Sequence, residues 1–518
     1  MKLELKGEQL LEESIGAICN EYQKEHSNGL QRGRQTVFVS TKDLKSCIVS
    51  LKKMGRIARK YFIRKVDNSA DILIEYRDPE SIKELQQHSR CFSSSYGIPV
   101  RTRHVFAEGV THSVPIDMSQ LQVMKQPRQL ADVIDETLPL SLQIRQVYQE
   151  YRMSGYDKLA RYFIASTVED FVQQILPASE IRLFGSSVNG LGRHDCDLDM
   201  TLNIRSDSII NQDYYKGQVY FKYLSKLKGE ERNNSRTILQ LISLMMYAVY
   251  PCSHHVTSIL SARVPILRFT HTGLSVTCDL SMNPIGPMMS EILYKMGSID
   301  DRFVALTFVI RIWARRWKVT QSSPGPWPTN FTITLLVLFY LQQHPSVMLP
   351  PIDKLVTLLG REEDGYHYVA RPWQQTTDKS TKNLNLGELL KGFFNMYMTF
   401  DFEKHGLSVL TGSLVENKTD NPLLVENPLE PALNVSRNVV KTELEAFQKH
   451  CHSSLNLLED GFKLRDLLRA ELNNGSQVPE IKLDELFRMD ESESDIKTES
   501  GATVSAEQAV GTATAEGN

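Results

Sequence analysis

Leu183-Phe184-Gly185-Ser186-Ser187 and, ten residues on, Cys196-Asp197-Leu198-Asp199-Met200 form the stretch from which the fold can be read. An apolar strand over 181–184 runs into a glycine, where backbone can approach a ligand closely. A second strand begins with two carboxylates one residue apart. Side chains at i and i+2 of a strand share a face, so Asp197 and Asp199 are expected side by side. Two acids on one face repel, and burying them unpaired is costly. A divalent cation, usually Mg²⁺, compensates such a pair and brings substrate phosphates with it. A helix starting after Ser186 would aim its free N–H groups at an anion. Either motif alone is most often a solvated loop or strand edge; the order strand, Gly-Ser, loop, acidic strand is far more specific.

A third carboxylate extends the pattern. Residues 264–270 and 274–280 read as two β runs joined by His271-Thr272-Gly273, a hairpin with glycine in its turn. Asp279 is the only acid between Glu231 and Glu291. A turn or capping role is the plain alternative. Three carboxylates on neighbouring strands can form a two-metal site for in-line phosphoryl or nucleotidyl transfer.

At this point the chain resembles a known group. Gly-Ser-Ser, Asp-x-Asp and the distant Asp look like the DNA polymerase β-type nucleotidyltransferases. Further matches are Cys278-Asp279-Leu280-Ser281-Met282-Asn283, Ile312-Trp313-Ala314-Arg315, Pro324 to Phe331, Asn427 to Pro431 and Leu433 to Arg437. They are similar to the poly(A)/terminal uridylyl polymerase branch, and within it to the mitochondrial poly(A) polymerase family. The resemblance spans roughly residues 140–450.

The resemblance implies an α+β fold: a nucleotidyltransferase palm sheet and a helical PAP-associated domain, preceded by an RRM-like domain. It implies that Asp197, Asp199 and Asp279 are catalytic and hold Mg²⁺ or Mn²⁺, Asp279 serving the metal that activates the RNA 3′-hydroxyl. It implies nucleotide contacts from Phe184, Gly185 and Ser186 and a ribose contact from Asn283, with Ser290 a weaker one. Phe331 would stack on the incoming base. Arg311 and Arg315, four apart on one helix face, would meet the triphosphate, although relatives carry Lys there; an ordinary basic helix surface over packed Trp313 and Trp317 is the alternative. In uridylyl transferases of this branch a His commonly precedes the Asn matching Asn434. Leu433 stands there instead, leaving room for a purine. The activity implied is template-independent addition of AMP from ATP to RNA 3′ ends, with release of pyrophosphate. A uridylyl or oligo-tailing transferase and a silent RNA-binding pseudo-polymerase are the rivals.

Composition bounds the rest. The 518 residues carry 59 basic and 62 acidic side chains, net −3, so any nucleic-acid footprint must be local. Seven cysteines form no CxxC pair, which points to a reducing compartment without a zinc site. No apolar run reaches the ~18 residues that a membrane span needs. The N-terminus Met1-Lys2-Leu3-Glu4 is acid-containing, unlike an organellar presequence; a mitochondrial address rests on the resemblance.

The expected organisation is an N-terminal extension (1–33), a βαββαβ RRM-like domain (34–110), a linker (111–137), the palm (138–290), a mostly helical domain (291–475) and a disordered acidic tail (476–518). Phe38 is the one well-placed aromatic for base stacking on the small domain. Basic residues from Lys52 to Lys65 crowd one corner of it. Weak RNA affinity or homodimer contacts are expected there. Lys226 to Arg236 is expected as an exposed loop.

Overall fold

The structure is a computed structural model. It describes residues 21–66, 69–88, 92–93, 99–100, 102–107, 121–123, 128–177, 179–204, 231–346, 348–362, 365–370, 385–461 and 463–468. The acidic tail and residues 1–20 lie outside these. The described residues belong to one compact unit ending at Leu472.

The small N-terminal domain runs β1 (Thr36–Thr41), α1 (Leu44–Met54), β2 (Ile57–Val66), β3 (Ser69–Tyr76), α2 (Glu80–His88), β4 (His104–Ala107) and β5 (Leu121–Val123). Asp43 caps α1 by accepting from the Ser46 N–H, and Gly55 follows its last residue. The sheet order is β4-β1-β3-β2-β5. The domain departs from the expected RRM-like reading in two ways. β4 runs parallel to β1, where the ferredoxin-like arrangement has it antiparallel. β5 falls inside the expected linker and adds a parallel edge to β2. In the expected N-terminal extension, residues 21–34 are helical and pack on the rest of the chain. Tyr22 of that helix stacks near Tyr294, Gln23 donates to Glu291, and Arg34 pairs with Glu169.

The sheet face that carries Phe38 is closed. Phe38, Tyr61 and Leu73 share one apolar core with Tyr156, Leu159 and Phe163 of the palm. A Cβ on Gly273 would stand 2.5 Å from the Phe38 ring. Gly273 is therefore required for close approach; the left-handed residue of this hairpin is Ser275, at φ 53°. Burying the Phe38 ring stabilises this contact by about 2 kcal/mol and leaves it unavailable to a base. Of the basic corner, Lys60 is buried and Arg64 donates to the Thr272 carbonyl, while Lys52, Lys53, Arg56 and Arg59 stay exposed.

Two helices lead into the palm: α3 (Leu140–Tyr151) and α4 (Gly155–Gln173). Ser154 and Asp157 form a reciprocal capping box at the start of α4. The palm strands are β6 (Ser179–Phe184), β7 (Leu198–Ile204), β8 (Ser253–Ile259), β9 (Ile266–His271) and β10 (Val276–Ser281), with α5 (Glu231–Val249) between β7 and β8. They lie in the order β8-β9-β10-β7-β6. Of the expected loop Lys226 to Arg236, residues 226–230 lie outside the described residues, and Glu231 to Arg236 is the start of α5 rather than a loop: Ser235, Ile238 and Leu239 are buried at helical spacing.

Helices α6 (Ile285–Ile299), α7 (Asp301–Arg316), α8 (Asn330–Gln343), α9 (Leu386–Met398) and α10 (Lys441–Glu459) build the next layer. α8 is buried from Thr332 through Gln342, which explains its apolar character on every side. Short antiparallel ribbons interrupt this mostly helical region, among them 405–408 with 413–416 and 426–427 with 430–434. Among the described residues no helix is long and apolar enough to cross a membrane.

Candidate active site

Backbone register assembles the acids. β6 pairs antiparallel with β7, setting Phe184 opposite Asp199. β7 pairs parallel with β10, setting Asp199 beside Asp279. Asp197 stands just before β7 and is exposed. The surroundings push the Asp199 carboxyl up to about 7: burial contributes most, then the charges of Asp279 and Asp197. Asp197 is raised too, by partial burial and by Asp279.

The repulsion is offset first at Asp279. Arg268, opposite Asp279 on β9, makes a two-pronged contact: Nε to Oδ1 at 2.7 Å and Nη2 to Oδ2 at 2.6 Å. With this guanidinium on Asp279, no three acidic, imidazole or thiol side chains among the described residues are gathered tightly enough to share one ion. The donor set nevertheless fits a hard divalent cation: clustered carboxylates, a carboxyl held near neutrality by its neighbours, and a cation already drawn to the cluster.

Gly185 makes the strand end possible. Its φ is +70°, and a Cβ there would lie 2.2 Å from Asp199 Oδ2. A single 3₁₀ turn, Gly185–Ser187, follows. The α-helix expected after Ser186 is absent, because the chain turns out of the 3₁₀ segment and Gly190 adopts φ +85°. The Ser187 hydroxyl donates to the Asp197 carbonyl at 3.1 Å.

Ser290 has a structural role at the glycine turn. It is buried on α6, accepts the Gly185 N–H at 2.7 Å and donates to the Gly286 carbonyl at 2.8 Å. Through these two bonds it holds the glycine turn. The Phe184 ring lies against Gly286, where a Cβ would come within 2.6 Å of it. Asn283 accepts the Ile285 N–H at 3.1 Å and lines a cleft with Arg263, Asn427 and Glu430. An Arg263–Glu430 contact of 3.3 Å spans that cleft.

Arg311 is half-buried and donates to the Leu191 carbonyl at 3.2 Å. Burial lowers its guanidinium to about 10, so it remains a cation at neutral pH. Arg315, one turn on, is exposed. Phe331 opens α8 half-exposed, packed on the central core. Among the described residues no hydrogen bond or ion pair joins Arg315 to the three acids. Asn434 ties loop backbone, accepting from Val425 N and Ser436 N and donating to the Leu423 carbonyl.

Two residues escaped the sequence reading. Arg268 had only a partial signal, because the observed turn spans 272–275 rather than the expected 271–273 and it is this register that sets Arg268 opposite Asp279. Arg161, described below, had none.

A sheet of this order with acids at one end is the palm of a nucleotidyltransferase. The family model for the central palm domain of "Poly(A) RNA polymerase, mitochondrial-like" matches residues 140–297. The human mitochondrial poly(A) RNA polymerase is 30% identical over 398 residues, covering 75% of this chain and 68% of that protein. The Drosophila melanogaster enzyme of the same name is 31% identical over 445 residues, covering 82% and 71%. A crystal structure of mtPAP with ATPγS superposes with a TM-score of 0.74 at 27% identity, covering 87% of this chain and 97% of that one. The chain belongs to the family of mitochondrial poly(A) RNA polymerases.

Proposed function

We propose that this protein extends RNA 3′ ends with AMP drawn from ATP, without a template and with release of pyrophosphate. The observation that carries the reading is the register of Asp199 beside Asp279, with Asp197 two residues before Asp199 and Gly185 against the Asp199 carboxylate. Asp197, Asp199 and Asp279 would hold Mg²⁺ or Mn²⁺. When bound, the metal neutralises phosphate charge and favours the deprotonated 3′-hydroxyl.

The chain's own groups do the rest. Gly185 lets backbone reach the phosphates, and Ser290 fixes that backbone. Arg315 is free to meet the triphosphate, with Arg311 beneath it on the same helix face. Asn283 would bind a ribose hydroxyl, and the half-exposed Phe331 ring would stack on the base. Leu433, half-buried, offers no hydrogen bond to a uracil edge. The mtPAP relative has been crystallised with UTP, GTP and CTP as well as ATPγS, so binding alone does not select the base and extension must be measured. A mitochondrial address follows from the family. A homodimer would use the edge strand β4, where Phe106 is 55% exposed.

The test is extension of one RNA primer with each NTP separately, using wild type and Asp199→Ala. ATP-dependent extension lost in the variant is expected. A preference for UTP would overturn adenylyl transfer, and RNA binding without incorporation of any NTP would make the chain a pseudo-polymerase.

A further inference from the structure

The three acids are not held alike. Asp199 sits inside a strand paired on both sides, and Asp279 is held by its ladder and by Arg268. Asp197 lies outside the strand, at the end of the loop 191–197. Its position depends on what fixes that loop.

The loop is gripped mainly by its carbonyls. Arg161, on α4 and 2% exposed, donates through Nη2 to the His194 carbonyl at 3.1 Å and to the Cys196 carbonyl, and through Nη1 to the Asp157 carbonyl at 3.2 Å. Its Nε is buried with no partner. Arg311 takes the Leu191 carbonyl and Ser187 the Asp197 carbonyl. Burying a guanidinium is costly unless its hydrogen bonds are made. Arg161 makes them to the backbone on either side of Asp195, and its charge also faces Asp197. No anionic side chain pairs with it among the described residues. The site therefore keeps a buried cation whose partners are loop carbonyls leading directly into an acid.

We infer that Arg161 is a positioning residue: by fixing the carbonyls of His194 and Cys196 it sets Asp197 for metal binding. This rests on the acids being metal ligands, as proposed above. Outer partners of metal ligands typically alter affinity about 10- to 100-fold.

The test is Mn²⁺ titration by electron paramagnetic resonance on the full chain without RNA or nucleotide. Wild type, Arg161→Lys, Arg161→Gln and Asp197→Asn are compared, together with the Mg²⁺ dependence of primer extension. Expected are about tenfold weaker Mn²⁺ binding in Arg161→Gln, partial recovery in Arg161→Lys, and a KM for ATP at saturating Mg²⁺ close to that of wild type. Wild-type Mn²⁺ affinity in Arg161→Gln overturns the inference. So does failure of both Arg161 variants to fold, which would make the residue structural. If Asp197→Asn binds Mn²⁺ as wild type does, the metal reading itself fails, independently of Arg161.

Discussion

Asp199 and Asp279 stand in register on adjacent parallel strands, so their carboxylates share one face of the sheet, and the Arg268 guanidinium caps only the second of them. Asp199 is left with like charge beside it and burial around it. Its behaviour follows from that asymmetry.

Replacing Asp197 or Asp279 by Ala is expected to lower tailing by about three orders of magnitude, the value of several kcal/mol of lost charge stabilisation. Folding should persist, because each change removes like charge. Purified-protein extension with Mg²⁺, beside circular dichroism, checks both halves. Near-full extension by either variant would remove the metal assignment.

The raised Asp199 carboxyl predicts a pH dependence with a definite sign. Its ordinary value is 3.8 and its folded value about 7. Between these the folded state holds a proton that the unfolded state has released, so stability falls as pH rises from about 4 to 7. Melting temperatures in EDTA should show this fall in wild type and a flatter profile in Asp199→Asn. Added Mg²⁺ should restore stability above pH 7. Because the three acids titrate together, the apparent midpoint belongs to the cluster.

Gly185→Ala places a methyl where Asp199 Oδ2 lies, at a φ that L-residues adopt at a cost. Extension is expected to drop about 100-fold, with a stability loss of about 1–3 kcal/mol. Ser290→Ala removes the acceptor for the Gly185 N–H and is expected to cost about 1–2 kcal/mol. Urea unfolding and steady-state kinetics separate the two: a Ser290→Ala protein with wild-type stability would exclude the clamp.

The N-terminal domain and palm meet through His104 and His271, whose Nε2 atoms lie 2.9 Å apart in a fully buried pair. The Leu274 N–H donates to His271 Nδ1, which places the ring proton on His271 Nε2 and makes His104 the acceptor; His104 Nδ1 then donates to Thr102. Burial holds His271 down at about 3 and His104 well below its ordinary value. The unfolded state thus takes up protons first, and stability contributed here is lost as pH falls from about 6.5 toward 3. This trend opposes that of Asp199, so it is best measured in Asp199→Asn. Adding His104→Met with His271→Leu should flatten the acid slope; an unchanged slope would sink this account.

The sequence by itself located the strands that carry Phe184, Asp199 and Asp279 and the hairpin that supplies Asp279, while the edge strand β8 was not legible in it. These follow from local rules of strand alternation and of glycine in turns; the tertiary structure moved the turn from 271–273 to 272–275 and left Asp197 outside β7. Sequence alone could not assign Ser290 to the Gly185 turn or Arg161 to the loop before Asp197. Those contacts cross between elements far apart in the chain and are made to backbone atoms, which leave no mark in the partner's residue type. The fate of Phe38 was equally closed to local reading. An aromatic on a first strand serves a base or a domain interface equally well, and only packing against Gly273 and His271 decided for the interface.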